Sequence, residues 1–233
     1  MIDHQRLHPP RGPFDFRGVL VMSLIVVIDY GMGNIRSVAR ALEMVCAGAR
    51  VKISSDPEMV RSADRVVFPG QGAMADCLRE LNARGLVEAV KESMESKPFL
   101  GICIGLQVLF DYSEENCGPC LQFIQGRVAR FEKGLLKNGR KLKVPHMGWN
   151  QVKQMSPHKL WEGIPDNSWF YFVHSYYVAA QDRNLIFGVT DYSTHFDSAV
   201  GRQNVFGVQF HPEKSETLGL RFLSNFAKWD GTS

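Results

Sequence analysis

No apolar run in this chain is long enough to cross a bilayer. The best, Val19 to Ile28, falls far short of the roughly 20 residues a helical span needs. There is no long basic run either, and the net charge is only +3. Neither a nucleic acid nor a membrane is therefore expected as a partner. Five cysteines is an odd number without regular spacing, which excludes a disulfide framework and suits a reducing cytoplasm. Two cysteines at 117 and 120 make no zinc site, and neither metal nor cofactor is expected. Internal repeats, low-complexity tracts and linkers are absent. Met1 to Gly18 lacks apolar periodicity, and it lacks the apolar core and small-residue cleavage site of a signal peptide. Residues 1–22 are expected to form a mobile extension, with Met22 a candidate start, and residues 23–233 one domain. The length allows a single good-sized core.

What is present alternates between two periods. Short β-branched runs at Leu24–Ile28, Arg50–Ser54, Arg65–Phe68 and Phe99–Ile102 read as buried strands. Helical spacing falls between them, at Ile35–Val45, Ala73–Arg84 and Leu86–Glu95. Strands alternating with helices predict an α/β fold around a mostly parallel sheet, with sites beyond the strands' C-terminal ends. From Arg127 onward, short strand candidates separated by turns predict a smaller antiparallel or mixed sheet, closed by a helix over Thr217–Ala227. Gly31 and Gly33 follow the first strand, but Arg36 stands where a dinucleotide fingerprint needs its third glycine.

One stretch departs from this pattern. In Gly101-Ile102-Cys103-Ile104-Gly105-Leu106-Gln107 a cysteine sits between two glycines at the end of a strand, with an amphipathic stretch, Leu106–Phe110, behind it. A nucleophile on a sharp strand-to-helix turn needs small neighbours, because the backbone there is strained. A thiolate also needs a base, and the base an orienting group. In Val208-Gln209-Phe210-His211-Pro212-Glu213, two residues of one extended segment face the same way, so Glu213 can hold His211, with Pro212 keeping the pair extended. Among the other histidines, His195 with Asp197 is the closest challenger. The tetrahedral intermediate needs donors. The N–H of Ile104 is one, and the backbone of Gly70-Gln71-Gly72 could give the second after a peptide flip.

These residues resemble the class I glutamine amidotransferases, with their flavodoxin-like three-layer fold. Four further blocks, Asp29–Asn34, Lys143–Asn150, Tyr171–Tyr177 and Val208–Ser215, look like the glutaminase subunits of imidazole glycerol phosphate synthases. The resemblance implies that Cys103, His211 and Glu213 hydrolyse glutamine. It implies that Gln107, Gly70, Gln71, Gly72, His174, Ser175 and Tyr176 hold the substrate. It also implies a heterodimer with a cyclase subunit, a (β/α)₈ barrel that receives the ammonia, and that Tyr171, Lys214, Trp149 and Asn34 face that partner. Gln71 is a departure, since the family places valine there. Two alternatives stay open. One is a paralogous amidotransferase for another amination, such as that of a surface sugar. The other is a thiol–disulfide oxidoreductase using Cys117-Gly118-Pro119-Cys120.

Overall fold

The computed structural model describes residues 23–232 except 47, 133, 135, 138 and 139. The expected extension over residues 1–22 lies outside the described residues.

The first half alternates as its periods require. Strands β1 (Ser23–Ile28), β2 (Ala49–Ser54), β3 (Arg65–Gly70) and β4 (Phe99–Cys103) are linked by helices α1 (Ile35–Val45), α2 (Pro57–Arg61), α3 (Met74–Ala83) and α4 (Leu86–Ser96). Along β1, Ile25 and Val27 face one core and Val26 and Ile28 the other. Both faces of the sheet are therefore covered, as a continuous apolar strand demands. Helix α2 is short, and Asp56 and Pro57 mark its start: the Asp56 carboxylate accepts from the Glu58 N–H.

After β4 a single turn, α5 (Ile104–Gln107), leads to β5 (Phe110–Ser113), β6 (Gly118–Pro119), β7 (Ile124–Arg130), β8 (Leu136–Lys137) and β9 (Arg140–Lys141). Then come β10 (His146–Gln154), β11 (Ser168–His174), β12 (Tyr176–Ala180), β13 (Ile186–Asp191), β14 (His195–Arg202), β15 (Val205–Val208) and helix α6 (Glu216–Lys228). The stretch Leu106–Phe110 is helical only at Leu106 and Gln107, in α5, and it is not amphipathic as expected. Leu106, Val108, Leu109 and Phe110 are all fully buried, so the segment has no solvent face, and Phe110 opens a strand.

The main sheet runs β2-β1-β3-β4-β15-β14-β12-β7-β5-β6. Its first five strands are parallel, and β14 then joins β15 antiparallel. The antiparallel part is a continuation of this sheet rather than a separate one: β10 pairs with β11 and reaches the main sheet through β13.

Parallel registry decides where the site falls. Gly70 pairs with Cys103 and Val208 with Ile102, so the ends of β3, β4 and β15 stand side by side. The turn after β4 has no space for side chains on either glycine. A Cβ on Gly105 would overlap the Phe68 carbonyl oxygen, and one on Gly101 would overlap the Gly105 carbonyl. We expect Gly105→Ala to lose about 3 kcal/mol or more, a fall of roughly 10 °C in melting temperature. A thermal melt checks this, and an unchanged transition would contradict the packing of the turn.

Candidate active site

Cys103 sits at the turn with φ 55° and ψ −107°, a conformation non-glycine residues rarely hold. Its side chain is largely buried but lines a cavity of about 470 Å³ at the C-terminal edge of the sheet. With only four residues behind it, α5 gives the sulfur little macrodipole.

His211 follows β15 and is buried, with the Cys103 sulfur near enough to act on its imidazole. Its Nδ1 lies 2.9 Å from Glu213 Oε1. The pair is not extended as expected: Pro212–Lys214 form a 3₁₀ turn that begins at the proline. The turn still swings the carboxylate under the imidazole, because the Glu213 side chain is almost completely buried there. Burial disfavours the charged imidazole, but the Cys103 sulfur and the Glu213 carboxylate outweigh it and raise its pKa to about 10. Nε2 has no hydrogen-bond partner among the described residues. Strand β11 fixes this segment, since His211 N–H donates to the Tyr171 carbonyl at 2.8 Å and Tyr171 N–H to Ser215 Oγ at 3.0 Å.

The cavity brings together most residues singled out from sequence. Gln71, Gly72, Ile104, Gln107, His174, Ser175, Tyr176, Tyr171 and Lys214 line it with Cys103. Gly70 lies just behind, against the buried Tyr30 hydroxyl. Trp149 is outside, 42% exposed, its ring edge-on to Tyr171 at 6.0 Å. Lys214 Nζ stands 5.8 Å from the same Tyr171 ring. Asn34 is not at this cavity. It lines a different hollow with Asp29, Gly33 and Arg36. His195 is exposed, and Asp197 is engaged by the Ala180 N–H and by Arg183, so the rival pair forms no site.

Sequence reasoning missed Glu115, Pro145, Met147 and Val173, which also line the cavity. Glu115 Oε2 accepts from the Met74 N–H at 2.9 Å and so anchors α3 just after the Gly70–Gly72 loop. Burial pushes its carboxyl pKa up, with Met74 pulling against it.

The redox alternative fails on geometry. Gly118 and Pro119 are strand residues. Three extended steps separate the Cys117 and Cys120 Cα atoms by about 10 Å, beyond the roughly 7 Å limit for a disulfide.

Two histidines are held neutral. Burial, then His146, lowers His174 to about 3, and burial, then Lys159, lowers His158 to about 4. Unfolding frees both to bind protons near pH 6.5, so the stability they contribute is complete above pH 6.5 and is lost as pH falls toward 4. His211, with its raised value, acts with the opposite sign but above this window. Denaturant midpoints are expected to drop between pH 7 and pH 5, and less so in His158→Asn. An equal drop in that variant would contradict the assignment.

Residues 26–229 match the family model of glutamine amidotransferase class-I. The described fold is also that of the glutaminase domain of Trypanosoma brucei CTPS, with TM-score 0.61 at 18% identity over 90% of this chain and 95% of that one. Fold and site thus define a class I glutamine amidotransferase. Two curated relatives narrow the class. Imidazole glycerol phosphate synthase subunit HisH of Aromatoleum aromaticum is 59% identical over 89% of this chain and 99% of its own length. The HisH subunit of Dechloromonas aromatica is 57% identical over 88% and 96%. The chain belongs to the HisH family. No helix among the described residues is long and apolar enough to cross a membrane.

Proposed function

We propose that this chain hydrolyses glutamine to glutamate and ammonia, with Cys103 as nucleophile, His211 as general acid and base, and Glu213 as its orienting carboxylate. The observation that carries this reading is the meeting of Cys103 with a buried His211 that is itself braced at 2.9 Å by Glu213.

Glutamine enters with its side chain toward Cys103. Its ammonium faces Glu115, the one carboxylate lining the cavity among the described residues, and its amino-acid end lies on the His174-Ser175-Tyr176 segment. The sulfur attacks the amide carbon. The oxyanion takes hydrogen bonds from the Ile104 N–H and from the Gly70-Gln71-Gly72 backbone. His211 gives a proton to the departing nitrogen, ammonia leaves, and a γ-glutamyl thioester remains on Cys103. His211 then takes a proton from water, which cleaves the thioester and releases glutamate.

The ammonia passes to a partner subunit. Met147 and Trp149 of β10, both exposed, stand beside Tyr171 and Lys214 at the cavity's mouth and form the face a partner covers. Such an apolar, rimmed face is the kind protein partners bury. The partner is a cyclase with a (β/α)₈ barrel, making imidazole glycerol phosphate and aminoimidazole carboxamide ribotide in the cytoplasm. Asn34 would meet the partner separately, from its own hollow with Asp29, Gly33 and Arg36. Residues 23–233 act as a single glutaminase domain, without cofactor or metal.

The test is ammonia release from glutamine with and without the cyclase and its ligand. A slow basal rate and a strong rise on complex formation are expected. Equal rates would overturn the coupling, and no hydrolysis in the complex would overturn the function.

A further inference from the structure

We propose that Gln209 donates a hydrogen bond to the nucleophile, its amide turned toward the sulfur by a directional network that passes through Gln107, Tyr176, His174 and His146. The proposal rests on Cys103 being the nucleophile.

Gln209 lies two residues before His211 and is completely buried. Its Nε2 is 3.5 Å from Cys103 Sγ. Which end of an amide faces the sulfur follows from its partners. The Tyr176 carbonyl oxygen can only accept. It therefore receives N–H groups from Gln107 Nε2 at 3.0 Å and from His174 Nδ1 at 2.7 Å. The second N–H of Gln107 goes to Gln209 Oε1 at 3.0 Å. That leaves the NH₂ of Gln209 as the group against the sulfur.

The far side of the network agrees. A neutral His174 that donates from Nδ1 must accept at Nε2, and His146 Nδ1 is there at 2.9 Å. His146 Nε2 then accepts, and Asn150 Nδ2 lies 3.3 Å away. Asn150 Nδ2 also donates to the Asp191 carbonyl at 3.0 Å, while Asn150 Oδ1 accepts from the Gln151 N–H at 2.8 Å. Along these bonds each donor meets an acceptor in one orientation only. The network begins in β10, the strand that carries Met147 and Trp149, and ends on the reacting atom.

A thiol sulfur is a weak acceptor and a thiolate a strong one, so the Gln209 N–H stabilises the thiolate over the thiol. The thioester sulfur accepts poorly again. In hydrolysis the same sulfur leaves as a thiolate, so the Gln209 N–H assists both the attack and the later release of the sulfur. In the resting chain the sulfur's only other hydrogen-bond contact among the described residues is the Val173 carbonyl, at 4.0 Å.

The test follows alkylation of the Cys103 peptide by iodoacetamide across pH, in the full chain, for Gln209→Leu and Gln209→Glu. The pH midpoint of alkylation is expected to rise by about one unit in Gln209→Leu, a roughly tenfold loss of thiolate below it. It rises further in Gln209→Glu, whose carboxylate offers no donor and repels the thiolate. In the complex, kcat falls about tenfold in Gln209→Leu with KM little changed. Midpoints equal to that of the unaltered chain would overturn the proposal, because a residue that only fills space lowers reactivity without moving its pH dependence. Gln209→Met replaces Gln209→Leu if the latter fails to melt cooperatively. Were Cys103→Ala to retain activity, the nucleophile assignment itself would fail, an outcome distinct from an unshifted midpoint.

Discussion

Cys103→Ala is expected to lower glutamine hydrolysis by about four orders of magnitude or more, with the melting transition little altered. The loss is that large because the covalent route disappears. What remains is water attacking an amide in a site whose oxyanion donors and substrate contacts are intact. The fold should survive because the strain at φ 55° belongs to the backbone and to the glycines around it, while the thiol faces a cavity. Alanine takes that conformation as readily as cysteine does. Ammonia release measures the activity, and a melt measures the fold. A residual rate within tenfold of the unaltered chain would contradict the nucleophile.

Glu213→Gln is expected to cost about a hundredfold in kcat, less than loss of the nucleophile. A glutamine carbonyl can still accept from His211 Nδ1, so the ring keeps its direction, but the negative charge is gone. That charge is one of the two influences that raise His211 against burial, the sulfur being the other. Its removal lowers the His211 pKa, and the sign of the consequence is definite. Departing nitrogen is protonated by the imidazolium, and a lower pKa exhausts the imidazolium at lower pH. The alkaline limb of the kcat profile should therefore move toward neutrality. An alkaline limb that stays in place would mean that the buried 2.9 Å contact is structural and does not tune the base.

The parts of this site that could be read in the sequence are those forced by local sterics or by a short period. Gly101 and Gly105 flank Cys103 because backbone carbonyls occupy the places their side chains would take. The pairing of His211 with Glu213 was legible from their closeness in the chain, but a 3₁₀ turn, and not the two-residue period of an extended segment, delivers the carboxylate. The same period places Gln209 beside them, and only its lack of titratable chemistry concealed it. Glu115 could not be read. It reaches the cavity because the β5–β6 hairpin carries it to the N-terminus of α3, 41 residues away. The full length of β10 was hidden as well. Its apolar residues Met147 and Trp149 point outward, and its His146 is inside, the reverse of the usual partition. That reversal has two causes. The outward face is the one proposed above for the partner, and the inward histidine is one step of a hydrogen-bond network.

The most direct test of the central claim is covalent labelling with an electrophilic chloroketone analogue of glutamine, located by peptide mass spectrometry. The account predicts one label, on Cys103, formed in step with loss of activity and slowed by free glutamine. Inactivation with the label on Cys77, Cys117 or Cys120, or labelling of Cys103 that leaves hydrolysis intact, would contradict it.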